Sequence, residues 1–212
     1  DAPNGAAAPA ASPEAGSTAQ RERRRRILDA TLALASKGGY DAVQMRTVAD
    51  KADVAVGTLY RYFPSKVHLL VTALAREFER VESKVDRSQL RGDTAIDRLR
   101  HVLDMITFAM QRDPLLTEAM TRAFMFADAS ATAEVDQVAG IIDRLLAGAI
   151  VDDGEPIEED LAIARVLSDV WMSNLVQWLT RRASATDVTN RWNRRLLSKA
   201  SSCSIRSENR FS

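Results

Sequence analysis

Apolar residues return every three or four positions along most of this chain, and nowhere do they alternate with polar ones for long enough to make a strand. Leu70, Leu74, Phe78, Val81 and Val85 lay one stripe along a helix, and Ile96, Leu99, Leu103, Ile106 and Met110 lay a second. Val135, Val138, Ile142, Leu145 and Ala149 repeat the pattern, as do Ala164, Leu167, Trp171, Leu175 and Trp178. The fold class is therefore all-α. Pro64, Pro114 and Pro156 each stand just ahead of a stripe, where a missing N–H costs nothing because first-turn donors have no helical partner. Asp113 can cap the helix that Pro114 begins, and Gly38-Gly39 can end the first helix in a left-handed turn. This punctuation predicts about nine helices, at roughly 20-37, 44-52, 55-61, 65-86, 94-111, 114-126, 131-149, 157-181 and 185-197.

With 212 residues, 46% of them apolar, the chain can bury a core without disulfides or metal. Its one cysteine, Cys203, lies in a polar tail, so no disulfide framework or metal cluster is expected, which fits a reducing cytoplasm. The first 19 residues carry Pro3, Pro9 and Pro13 among Ala, Gly and Ser and are expected to form a disordered arm. Charges interrupt every helical pattern, so no membrane span is predicted.

Lysine plus arginine equals aspartate plus glutamate, 29 each, but the charges are segregated. Residues 20-66 hold ten basic and five acidic residues, whereas 67-197 hold sixteen basic and twenty-one acidic. A basic head on an acidic body points to a polyanion at the head, with nucleic acid the obvious candidate. The division expected is a disordered arm at 1-19, a nucleic-acid-binding head at 20-66, an acidic body at 67-197 and a tail at 198-212.

The head contains a helix-turn-helix pattern. Val48, Ala49 and Ala52 give a short helix one apolar face, Asp53 falls at the turn, and Val54 with Leu59 re-enters the core from a second short helix. Aspartate tolerates left-handed backbone better than most residues, so it can replace the usual turn glycine. In the second helix Gly57 lets backbone approach a phosphate, Thr58, Tyr60 and Tyr62 offer hydroxyls, and Lys66 adds a point charge. Tyr60 and Tyr62 could instead be packing filler, while Leu59 and Phe63 are expected in the core.

The run Val-Gly-Thr-Leu-Tyr-Arg-Tyr-Phe-Pro-Ser-Lys, positions 56 to 66, resembles the signature of the TetR family of bacterial repressors, with a match over 20 to 70. Over Arg21 to Leu70, Leu115 to Asp136 and Ile163 to Val188, the chain is further similar to members of that family that repress sterol catabolism in actinobacteria. The resemblance implies a three-helix DNA-binding head at 20-66, a six-helix body at 67-197 for ligand binding and dimerisation, and a two-fold dimer on a palindromic operator. By it, Val56, Tyr60 and Arg46 would meet base edges, and Thr47, Thr58, Tyr62 and Lys66 would hold phosphates. Arg46 is the best source of discrimination, since a guanidinium can grip guanine through two hydrogen bonds. The run Arg21-Glu-Arg-Arg-Arg-Arg26 would either track flanking phosphates or form a solvated face.

Dimerisation is expected on the last long helices through Leu161, Leu167, Leu175 and Trp178, which are also good core residues. Met105, Phe108, Met110, Met120, Phe124, Met125, Phe126, Trp171 and Met172 are flexible or aromatic residues of the kind that line cavities, though each also suits an ordinary core. Asn174 would be a polar anchor or would satisfy a buried backbone group. The resemblance implies a sterol-derived inducer, possible also as its coenzyme A thioester. No cofactor or metal is called for. His68 and His101 are expected on helix surfaces and belong to no catalytic pattern, and no phosphate loop appears, so an enzyme is not expected. The rival classes are a helical lipid-binding module at anionic membranes and a transcriptional activator of the same fold.

If a dimer neutralises about eight phosphates, its DNA affinity will fall by about three to five orders of magnitude between 50 and 200 mM salt. A titration at several salt concentrations checks this; a shallow slope would contradict phosphate-led binding.

Overall fold

A computed structural model describes residues 13-85, 90, 92-151 and 153-179, with side chains left undescribed at 13-17, 178 and 179. It contains eight α-helices and no strand among the described residues: α1 (Pro13–Ala42), α2 (Met45–Ala52), α3 (Val56–Tyr62), α4 (Lys66–Glu82), α5 (Ala95–Arg112), α6 (Pro114–Met125), α7 (Thr132–Ile150) and α8 (Glu158–Leu179). A short 3₁₀ turn, Ala129–Ala131, precedes α7. The helix expected at 185-197 lies outside the described residues, as do the tail and residues 1-12 of the arm.

One boundary differs markedly from expectation. The first helix starts at Pro13 rather than near Gln20, so the end of the expected arm is helical. Proline is favourable in a first turn, and Glu14, Ala15 and Ala19 extend a helix readily. At its other end α1 breaks at Gly38-Gly39, where Gly39 takes φ +65°, the left-handed geometry that stops a helix. Asp113 caps α6 as its position suggests, accepting from the Leu116 N–H at 3.0 Å.

The head is α1, α2 and α3 closed over Ile27, Val43, Val48, Leu59 and Phe63, all fully buried. Chain then passes into α4, on which every residue from His68 to Ala75 is buried. A helix covered on all sides must lie inside the molecule, and α4 packs against α1, α6 and α7. Farther along, Phe78 meets the edge of the buried Trp171 of α8, ring centroids 6.4 Å apart.

His68 corrects the sequence reading, because it is only 7% exposed instead of lying on a surface. Its Nε2 stands 3.0 Å from the Ser130 carbonyl oxygen and its Nδ1 2.9 Å from Ser65 Oγ. A carbonyl only accepts, so Nε2 carries a proton and ties α4 to the turn before α7. Sequence periodicity missed this because the covering turn comes from sixty residues away.

Two polar pairs hold the body. Arg98, buried on α5, donates from Nε to the Ala149 oxygen and from Nη2 to the Ile150 oxygen, each at 3.0 Å, satisfying carbonyls at the end of α7. Asp143, buried on α7, accepts from Arg165 Nε at 3.2 Å and Ser168 Oγ at 2.9 Å, which pins α8. No described helix is long and apolar enough to cross a membrane.

Replacing Arg98 with alanine strands those carbonyls and should cost about 1.5–3 kcal/mol, the range for a hydrogen bond to a charged group. Urea unfolding of the two proteins measures it, and a change within 0.5 kcal/mol, roughly that of an ordinary surface substitution, would contradict the cap.

Candidate nucleic-acid interface

The α2–α3 pair is held from beneath and left bare on top. Val48, Ala49 and Ala52 bury one face of α2. Asp53 then takes φ 53°, ψ 56°, the only positive-φ non-glycine residue among those described, so the turn is left-handed as its residue type allows. Its N–H closes on the end of α2, and the Val54 N–H reaches the Ala49 oxygen at 3.0 Å. Chain leaves this turn extended at Ala55 and enters α3. Leu59 and Phe63 anchor that helix in the core.

What stays in solvent is the other face. Arg46 and Thr47 at the start of α2 are exposed, as are Gly57, Tyr60 and Arg61 on α3. Tyr60 is 48% exposed, which disfavours the packing alternative for it. A Cβ added at Gly57 would meet nothing within 4 Å, so the position is open to an incoming backbone. Val56 and Tyr62 are half-buried and packed on the core, and Thr58 is half-buried too. They thus present less surface to solvent than Arg46 or Tyr60. Arg61, absent from the expected set, is an exposed cation on the last turn of α3; only knowledge of which face α3 buries singles it out.

Lys66 is half-buried, with its Nζ 3.7 Å from the centre of the Tyr40 ring. Burial pulls its ammonium below the usual lysine range; Arg122 acts in the same direction, while Asp41 and Glu118 oppose it. The arginine run is partly consumed within the head. Arg25 pairs with Glu22 at 2.6 Å and Asp29 at 3.3 Å, Arg26 reaches Asp53 at 3.7 Å, and Arg24 lies 5.0 Å over Phe63. Hydrogen bonding from Arg25 holds the Glu22 carboxyl below the usual range. Arg21 and Arg23 form no ion pair among the described residues; Arg21 is exposed and donates to Thr18 Oγ1 at 3.2 Å, while Arg23 is half-buried.

The body holds a cavity of about 130 Å³ between α4, α5 and α6. Leu74, Glu77, Phe78 and Val81 line it from α4, Ile106, Ala109 and Met110 from α5, and Asp113, Leu116, Thr117, Met120 and Thr121 from α6 and its cap. Of the expected lining, Met110 and Met120 are there. The others are not. Phe108 is 65% exposed, and Met125 and Phe126 also face solvent. Met105, Phe124 and Met172 are half-buried away from the cavity, while Trp171 packs against Phe78 in the core. Asn174 donates to the Val170 oxygen of its own helix at 2.8 Å, so it satisfies backbone as its second reading allowed. Composition could not separate these groups, because Met120, which faces the cavity, and Met125, which faces solvent, are the same residue type on one helix and differ only in the face each takes. The α4 stripe of Leu74, Phe78 and Val81 was visible as core, but nothing in it showed that a void lay opposite.

The expected dimer residues move likewise. Leu175 is buried in the protomer, Leu161 and Leu167 are half-buried against its core, and the side chain of Trp178 lies outside the described residues. Among the described residues, the large apolar side chains that α8 leaves in solvent are Ile163 and Val166, the latter 62% exposed. No group of His, Cys, Asp and Glu among the described residues could hold a metal.

Residues 27–73 match the sequence profile of the bacterial regulatory proteins of the tetR family, and residues 92–196 match that of the tetracyclin repressor-like C-terminal domain. The chain is 69% identical to the HTH-type transcriptional repressor KstR of Rhodococcus jostii over 186 residues, covering 88% of this chain and 86% of that protein. Its fold is similar to a TetR transcriptional regulator from Rhodococcus sp. RHA1, with 32% identity, a TM-score of 0.72, and coverage of 84% of this chain and 95% of the other. A repressor of the same family from Thermus thermophilus, FadR in complex with lauroyl-CoA, shares the fold with a TM-score of 0.60 at 21% identity, covering 82% and 93%.

Substituting Arg46 by alanine should cost about 1–3 kcal/mol on a preferred site and flatten the choice at one base position, as loss of a bidentate contact does. Tyr60→Phe, which removes one hydroxyl and keeps the ring, should cost less. Binding measured on a panel of single-base operator variants distinguishes them, and equal weakening on every variant would show that Arg46 touches only phosphate.

Proposed function

This chain belongs to the TetR family of bacterial regulatory proteins and is a DNA-binding transcriptional repressor, and we propose that it represses genes of sterol catabolism and leaves its operator when a steroid occupies the α4–α5–α6 cavity. The observation that carries the DNA half is the face of α2 and α3 that Leu59 and Phe63 turn outward, with Arg46, Gly57, Tyr60 and Arg61 all in solvent. Residues 20-66 act as the head, and residues 67-197 as the ligand-binding and dimerising body.

One head reads only a few base pairs. Two heads held by a dimer would read a palindrome whose half-site centres lie about 34 Å apart or at a multiple of that spacing. The exposed Ile163 and Val166 of α8 offer the apolar face for that dimer better than Leu175 does.

For the ligand, the size of the cavity matters. Sites for compounds of steroid size measure about 300–1,000 Å³, several times the space present here. A steroid would therefore have to push α4, α5 and α6 apart, and so would bind a body shape different from the empty one. That difference in affinity between shapes is what release requires. The walls are apolar apart from Glu77, Asp113, Thr117 and Thr121, and Thr117 is already engaged with the Met110 oxygen at 2.7 Å. No cation lines the cavity among the described residues, so a coenzyme A thioester would leave its phosphates outside these walls.

Selection of bound sites from random duplex DNA should return a palindrome, and a mobility-shift titration on that operator with added steroid acyl-CoA should weaken binding by about 5–150-fold. Selection without any consensus would sink the repressor reading; a consensus whose binding no steroid alters would sink induction alone.

A further inference from the structure

Tyr40 stands where the head, the connecting helix and the body meet. It lies just beyond the break in α1, and its ring carries two cations: Lys66 of α4, with Nζ 3.7 Å from the centroid, and Arg122 of α6, with Cζ at 4.5 Å. Two cations on one ring repel, and two carboxylates offset them. Arg122 lies 3.6 Å from Glu118 and 3.9 Å from Asp41. Glu118 also accepts the Tyr40 backbone N–H at 3.3 Å. Its Oε2 would sit only 3.2 Å from a Cβ at Gly39, a position whose φ of +65° already favours glycine. The helix break thus does two things: it stops α1 and it lets α6 come close enough to grip the peptide after it.

The same α6 faces the cavity. Glu118 and Arg122 form one row along the helix, four residues apart, while Thr117 and Thr121 form the adjacent row that lines the void. At twelve residues α6 is about 18 Å long, a short rod that carries a push on one row to the other. Lys66 completes the connection, since it begins α4, whose later turns line the opposite wall.

We propose that Arg122 and Glu118 are positioning residues that set the angle of the head on the body by holding Tyr40, and that the state of the cavity reaches the DNA surface through this joint. In its ligand-dependent form the proposal rests on the release mechanism above. Filling the cavity displaces the α6 rod, the grip on Tyr40 shifts, and α1 carries the head with it. The ring itself is what matters. Phenylalanine can replace tyrosine, because the cations meet a face and the gripped N–H is backbone, whereas leucine keeps bulk and loses the face.

The test uses the full chain and its selected operator. Binding is measured with and without a steroid acyl-CoA for the unmodified protein, Tyr40→Phe, Tyr40→Leu and Arg122→Gln, with circular dichroism to verify folding. The unmodified protein and Tyr40→Phe should lose at least about tenfold affinity with the thioester, and Tyr40→Leu and Arg122→Gln less than about threefold. Full release of the last two would overturn the joint. Should the thioester release none of them, including the unmodified protein, the release mechanism fails and a ligand-free cycle decides the joint. Ile106→Trp, or the milder Ile106→Phe, adds bulk at a buried wall of the cavity and should weaken operator binding in the parent but not in Arg122→Gln, a non-additivity of at least about threefold. Additive effects of either filler with Arg122→Gln would overturn the proposal.

Discussion

The described helices are arranged around one, α4, whose first turns have no free side. From His68 to Ala75, α4 offers solvent nothing, and it runs from the end of the DNA-facing head into the middle of the body. Its surroundings differ along its length: α1 and the Tyr40 stack near its start, the Ser130 turn against His68, and Phe78 with Trp171 beside the cavity. A close-packed rod of this kind does not bend to suit a local change. It passes displacement along, because packed interiors resist compression.

That property sets what the two ends of the protein can do to each other. The DNA surface is built on short helices whose own cores are small, seven and eight residues long, and it takes its orientation from α1 and α4. The cavity, in turn, is walled by α4, α5 and α6. The head's surface and the cavity share α4, and α6 reaches the end of α1 through Glu118 and Arg122. A repressor needs such sharing. A ligand site with no mechanical connection to the head would bind without consequence.

Charge follows the same division. The head concentrates arginine, yet several of those arginines are engaged by Glu22, Asp29, Asp53 or the ring of Phe63. Exposed pairs of this type contribute little to stability. Among its described residues the acidic body carries most of its charge outside; the buried exceptions are Asp143, held by Arg165 and Ser168, and Arg98, held by the carbonyls at the end of α7.

The sequence by itself determined the eight described helices apart from the start of α1, the turn at Asp53, the cap at Asp113 and the core roles of Leu59 and Phe63, because each rests on neighbours within a few positions and on residue types with strong local preferences. Family membership was legible in eleven residues, 56 to 66, for the same reason. Tertiary structure alone decided that His68 is buried, that Phe108 and Met125 face water, that Leu175 turns inward while Val166 turns outward, and that Tyr40 sits between Lys66 and Arg122. Periodicity names the apolar stripe of a helix but says nothing of what lies against it. Whether that neighbour is a packed helix, a void or solvent depends on chain segments sixty or eighty residues away, and no local pattern records their approach.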